Sequence, residues 1–78
     1  MKEVVLYTRE ACSLCKTAKA VILSLKREVD FVFREVDIDG DPELFAEHKH
    51  DIPVIEIDGK RAFKYRVDPD ALRRRLEA

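Results

Sequence analysis

The sequence predicts an α/β fold, a four-stranded mixed sheet flanked by helices in the order βαβαββα. Three observations carry this expectation. An apolar, β-branched run gives way within a few residues to a helical pattern, and the only two cysteines, Cys12 and Cys15, lie at that junction. Asp41-Pro42 and Asp68-Pro69 mark helix starts, because an aspartate accepts from the orphan N–H groups of a first turn and a proline there has no N–H to leave unpaired. Asp58-Gly59, set between two strand-like runs, marks a two-residue hairpin turn.

The elements follow in order. Glu3 to Thr8 is the first strand, and Arg9 and Glu10 form a short polar loop after it. The first helix is expected from Cys12 to Arg27, with Leu14, Ala18, Val21, Ile22 and Leu25 as one apolar stripe packed on the sheet and Lys16, Lys19 and Lys26 pointing elsewhere. Phe31 to Ile38 is rich in aromatic and β-branched residues and is expected as a second strand, parallel to the first because a helix crosses between them. A short helix begins at Asp41-Pro42, takes its apolar content from Leu44, Phe45 and Ala46, and ends near Lys49. Pro53 opens a third strand over Val54 to Ile57, paired antiparallel through Asp58-Gly59 with Lys60 to Tyr65. A last helix starts at Asp68-Pro69-Asp70, and Leu72 and Leu76 give it an apolar pair.

With 78 residues the chain is expected to be one domain, residues 1–78, able to bury roughly 60% of the surface its unfolded form would expose. No linker, low-complexity tract or repeat divides it. Charged residues make up 40% of it, yet the net charge is only −1 and the cations are interleaved with acids, which argues against nucleic acid as a partner. The one basic block, Arg73-Arg74-Arg75, falls in the last turn of a helix, where cations complement the dipole. No apolar run approaches the ~20 residues of a membrane span and no signal peptide precedes the first strand, so the cytoplasm is expected, and a fold of this size can stand as a monomer. Asn, Gln and Trp are absent while Glu, Lys and Arg abound, a balance associated with proteins of hot environments.

Cys12-Ser13-Leu14-Cys15 carries the chemistry. A thiolate is the species that attacks a disulfide, and the unpaired N–H groups and positive dipole end of a helix stabilise one at its first turn. Cys12 is therefore expected to have a lowered pKa, helped by Lys16 and Arg9. Cys15, one turn further in and shielded by the helix, suits the resolving role that releases a mixed disulfide from Cys12. A structural disulfide is the first competing reading, and it is weak because so short a loop removes little entropy from the unfolded chain. A zinc site completed by His48 and His50 is the second. An i, i+2 histidine pair diverges on a helix, so these two are expected instead as exposed polar residues at a helix end.

The element order, joined to this Cys-x-x-Cys, resembles the thioredoxin superfamily and in particular the glutaredoxin-like redoxins across nearly the whole chain. Three places carry the resemblance: Leu6 to Cys15 as strand and active-site loop, Asp51-Ile52-Pro53-Val54 as the family's cis-proline loop, and Asp58-Gly59 as the hairpin before the last strand. Arg9 to Cys15 and Asp37 to Leu44 are most similar to a small glutaredoxin-like family with motifs of the type Arg-Glu-x-Cys-x-Leu-Cys and Asp-Ile-Asp-x-Asp-Pro-Glu-Leu. The resemblance implies a thioredoxin-like fold and a cis Ile52-Pro53 bond beside the Cys12 sulfur. There the Ile52 backbone would pair with an extended peptide or glutathione.

The activity implied is thiol-disulfide oxidoreduction, with Cys12 as nucleophile, Cys15 as resolving thiol, and Arg9, Ser13, Leu14, Ile52, Pro53 and Arg66 in substrate binding. No cofactor is needed. The substrate would be a protein or small-molecule disulfide, and the reductant either glutathione or a thioredoxin-reductase-like flavoprotein. Departures from the family bear on that choice. Where glutathione-using members have a Gly-Gly turn, this chain has Tyr65-Arg66-Val67-Asp68-Pro69-Asp70, which lacks the glycines for close backbone approach and places acids where a carboxylate would dock, leaving Arg66 as a different contact. Ser13-Leu14 replaces the Pro-Tyr or Gly-Pro of better-known redoxins, and no tryptophan precedes Cys12. Two alternatives of other classes stand beside this one: a redox-silent scaffold that docks partners through Leu14 and Tyr65, and a zinc-binding variant.

Overall fold

The computed structural model describes residues 1–78, with β1 at Glu3–Thr8, α1 at Ser13–Leu25 and β2 at Val32–Asp37. A single 3-10 turn at Ile38–Gly40 leads into α2 at Pro42–His48, followed by β3 at Val54–Ile57, β4 at Lys60–Lys64 and α3 at Pro69–Glu77. The sheet order is β2-β1-β3-β4, with β1 parallel to β2 and antiparallel to β3, and β3 antiparallel to β4. This is the four-stranded mixed sheet flanked by helices expected of the α/β fold.

Side-chain alternation along β1 divides the molecule into layers. Val4 and Leu6 point into the main core with Ile55 and Ile57 of β3, and they meet Ala18, Ile22 and Leu25 of α1 and Leu72 and Leu76 of α3. Tyr7 points to the opposite face, where its ring stacks on His48 of α2 with centroids 4.5 Å apart. Two helices therefore cover one face of the sheet, and α2 with its preceding turn covers the other.

Several elements differ from the sequence-based expectation, each for a local reason. Helix α1 begins at Ser13 with Cys12 as its N-cap, in extended geometry at φ −121°. Its buried face is Cys15, Ala18, Ile22 and Leu25, so Leu14 leaves the expected stripe and is 37% exposed. Strand β2 is shorter than Phe31 to Ile38: Asp37 turns its carboxylate back to accept from the Asp39 N–H at 2.9 Å and opens the 3-10 turn. Phe31 and Ile38, just outside the strand, are nevertheless buried. Strand β4 stops at Lys64 because Tyr65 adopts a left-handed φ of 67°.

The hairpin turn places Asp58 at φ 51° and Gly59 at φ 83°, the pair of left-handed conformations that matches strand twist. Asp58 also ties this hairpin to the start of β1. Its carboxylate accepts from the Glu3 N–H at 2.8 Å, and its own N–H donates to the Glu3 carbonyl at 2.9 Å. Asp41 and Asp68 cap α2 and α3 as expected, accepting from Glu43 and Leu44 and from Ala71 respectively. No helix is long and apolar enough to cross a membrane.

Candidate active site

The candidate site lies where β1 hands over to α1. Because Cys12 is the N-cap, its Sγ accepts from the Cys15 N–H at 3.2 Å, one of the four donors a helix start leaves without a backbone acceptor. The Cys12 carbonyl accepts the Lys16 N–H at 3.2 Å, which begins the helical ladder. The two cysteines are joined as a disulfide across a Cα–Cα distance of 5.2 Å. Cys15 is 2% exposed and Cys12 is half-buried, so Cys12 offers the reachable sulfur.

Cys12 opens into a cleft of 610 Å³ lined by Arg9, Ala11, Ser13, Leu14, Asp39 and Ile52 among others. Ile52-Pro53 is a cis peptide bond, and Pro53 itself is buried beneath the loop. The cleft thus joins the sulfur to the loop that the resemblance assigns to docking. Leu14 stands between this cleft and a second groove of 320 Å³, where Arg66 lies with Val21, Tyr65, Val67 and Asp68. Arg9, Ser13, Leu14 and Ile52 are brought together around Cys12, whereas Arg66 is on the far side of Leu14.

The charge near the site is arranged differently from the simplest reading. Arg9 forms an ion pair with Asp39, Nε to carboxylate at 2.9 Å, and lies over the Phe45 ring at 5.1 Å, so its charge is shared with a carboxylate rather than aimed singly at Cys12. Lys16 lines a separate depression with Cys15, Lys19, Glu35 and Asp37, and Lys19 is itself paired with Glu35 at 2.9 Å. The helix N-terminus is the positive feature that bears directly on the Cys12 sulfur.

His48 corrects an expectation. It is 2% exposed, not a solvated helix end, because its ring fills the space between α2 and Tyr7 and is flanked by the Arg61 guanidinium at 3.4 Å from Nδ1. His50 is exposed as expected. No group of three or more His, Cys, Asp or Glu side chains is placed to hold a metal ion, so the two histidines do not complete a tetrahedral set with the cysteines.

Sequence reasoning also missed the groups behind the Ile52-Pro53 loop. Arg61 pairs with Asp51 at 3.3 Å, and the Tyr65 hydroxyl donates to the His50 carbonyl at 3.0 Å and to Asp51 at 3.4 Å. Burial works against the charge on Asp51. The Arg61 hydrogen bond, the Lys64 and Arg61 charges and the Tyr65 hydroxyl outweigh it and hold the carboxyl below its ordinary range. On the other side of β3, burial raises the Tyr7 hydroxyl, and its hydrogen bond to Glu56 at 3.1 Å adds to the effect. Nothing in residue spacing signals contacts that depend on how β4 lies against β3.

Comparison with known proteins agrees with this geometry. A glutaredoxin-like protein from Dictyostelium discoideum is 40% identical over 77 residues, covering 91% of this chain and 71% of its own. The solution structure of a protein from Nitrosomonas europaea superposes with a TM-score of 0.83 at 27% identity, covering 96% of this chain and 91% of that one. A thioredoxin mutant from Halobacterium salinarum shares the fold with a TM-score of 0.74 at 21% identity, over 97% of this chain and 72% of that one. Residues 3–77 match the glutaredoxin-like domain (DUF836), and with its Cys12–Cys15 pair the chain belongs to that family of the thioredoxin superfamily.

Proposed function

We propose that the protein is a dithiol-disulfide oxidoreductase. The observation that carries the reading is the asymmetry of the pair: an accessible Cys12 at the N-cap of α1 and a Cys15 that is 2% exposed one turn behind it. The Cys12 thiolate attacks one sulfur of a substrate disulfide, forms a mixed disulfide and expels the other sulfur as a thiolate. Cys15, deprotonated, then attacks the Cys12 sulfur and expels the second substrate thiolate. The substrate gains two electrons and takes up two protons, and the protein is left with the Cys12–Cys15 disulfide. The donor that restores the dithiol is external.

Asp68, the N-cap of α3, and Asp70 in its first turn place negative charge where a glutathione carboxylate would approach, which favours a thioredoxin-reductase-like flavoprotein as that donor. In substrate binding, Ile52 offers backbone to an extended chain, Pro53 sets the loop, and Arg9, Ser13, Leu14 and Arg66 border the approach. A redox-silent docking module is the competing reading, favoured by the exposure of Leu14 and Tyr65 on one groove.

The rate of alkylation against pH in the reduced protein separates the two. An inflection for Cys12 well below the ~8.5 of a free thiol is expected, with Cys15 unlabelled in the native state. Cys15→Ser is expected to accumulate a mixed disulfide on Cys12 when mixed with a disulfide peptide. A rate that keeps rising through pH 9, or no trapped adduct, sinks the oxidoreductase reading.

A further inference from the structure

We infer that Tyr65 is a positioning residue for the Asp51-Ile52-Pro53 loop, an inference that rests on the oxidoreductase reading of Cys12 and Cys15. The two donors of this one residue, its N–H and a hydroxyl shared between two acceptors, span the loop. Its N–H donates to the Pro53 carbonyl at 2.8 Å at one end, and its hydroxyl donates to the His50 carbonyl at 3.0 Å and the Asp51 carboxylate at 3.4 Å at the other. Ile52, which lines the Cys12 cleft, lies between the two attachments. The loop is held like a bow by its ends, with Ile52 displayed toward the sulfur.

The backbone of Tyr65 strengthens the assignment. Its φ of 67° is a left-handed conformation in which a bulky side chain is strained, and such strain persists only where the surroundings over-determine it. A glycine would meet the backbone requirement without strain, yet a glycine has no hydroxyl to reach His50 and Asp51. The residue is 42% exposed, so burial accounts for only part of its presence. What the tyrosine supplies, and a glycine would not, is the far attachment of the loop.

Arg61 holds the same loop from behind. It pairs with Asp51 at 3.3 Å, leaving the Asp51 carboxylate braced between a guanidinium and the Tyr65 hydroxyl. The two contacts act on different carboxylate oxygens, Oδ2 and Oδ1. Removing the hydroxyl therefore frees one oxygen and the His50 carbonyl while leaving the ion pair in place.

The test compares wild type with Tyr65→Phe and Tyr65→Gly, using a disulfide peptide as substrate and iodoacetamide as a probe that does not need the loop. The KM for the peptide is expected to rise roughly five- to tenfold in Tyr65→Phe, the effect of losing hydrogen bonds of ordinary strength, while kcat and the alkylation rate of Cys12 stay at wild-type values. Tyr65→Gly is expected to show the same KM increase despite relief of its backbone strain. Microsecond-to-millisecond exchange at the Asp51 and Ile52 amides, read by nitrogen relaxation dispersion, is expected in both variants and not in wild type. Wild-type KM together with flat dispersion in both variants overturns the inference. Should wild type reduce no disulfide at all, the oxidoreductase reading fails, and the dispersion alone then decides whether Tyr65 positions the loop.

Discussion

Asp51 shows how one side chain can join the Ile52-Pro53 loop to the sheet and report on that junction through pH. Its carboxyl is partly buried, which by itself would favour the protonated form, but Arg61, Lys64 and the Tyr65 hydroxyl hold it below the ordinary value of 3.8. A group with a depressed folded pKa contributes stability that is fully present above its unfolded value and is lost as pH falls through its folded value. Urea unfolding of wild type and Asp51→Asn between pH 7 and pH 2 is expected to show a gap that is widest above about pH 4 and closes as the medium becomes more acidic. A gap independent of pH would mean that the ion pair with Arg61 contributes nothing and the difference is one of packing. The residue itself was visible in the sequence, next to Ile52-Pro53, yet its partner Arg61 is ten positions away on a strand whose register was not.

At the level of the elements, the two Asp-Pro starts behave as written in the sequence, because capping is a local interaction between a carboxylate and N–H groups two or three residues on. In α3 the cap supports only nine residues, and Leu72 and Leu76 are its two buried anchors. Asp68→Ala leaves the Ala71 N–H, now bonded at 3.0 Å, without its acceptor. The loss expected is about 1 kcal/mol in urea unfolding, with the helix still formed because its apolar pair remains docked. A change below about 0.3 kcal/mol would place the stability of α3 in its packing and in the Arg73–Glu28 pair at 2.8 Å rather than in the cap. Other element ends were less legible. Strand β4 stops one residue early because Tyr65 turns to a left-handed φ of 67°, and Cys12 stays outside α1 because its side chain serves the cap.

Across the whole molecule, the small size makes each core contact matter. A 78-residue chain is expected to have a net stability of only about 4–12 kcal/mol, since that is the range per residue for globular proteins. Ile22 sits fully buried on α1 between the sheet and α3, within the cluster that includes Leu6, Ile55 and Leu72. Ile22→Ala is expected to cost about 2–5 kcal/mol, measured by urea unfolding of the oxidised protein, and the upper end of that range would leave little native state. A cost under about 1 kcal/mol would show that the core relaxes into the space, contrary to its layered packing. The second face, where His48 lies on Tyr7, gives the molecule a smaller, more polar layer.

The sequence by itself determined the order of elements, the parallel β1–β2 and antiparallel β3–β4 pairings, the two Asp-Pro helix caps, the hairpin turn and the cysteine pair. These depend on interactions within a few residues or on a binary pattern repeated along one element. Tertiary structure decided which members of each pattern are used. Leu14 and Ala18 carry the same apolar signal, but the helix begins at Ser13 and rotates Leu14 out to the site while Cys15 goes in. His48 carried a polar signal and became a buried ring, because the stack on Tyr7 and the approach of Arg61 exist only once α2 is laid across the sheet. Tyr65 was legible only as a strand end and an exposed contact: its left-handed backbone and its hold on the Pro53 loop arise from how the end of β4 meets β3, a contact between segments that no local propensity encodes.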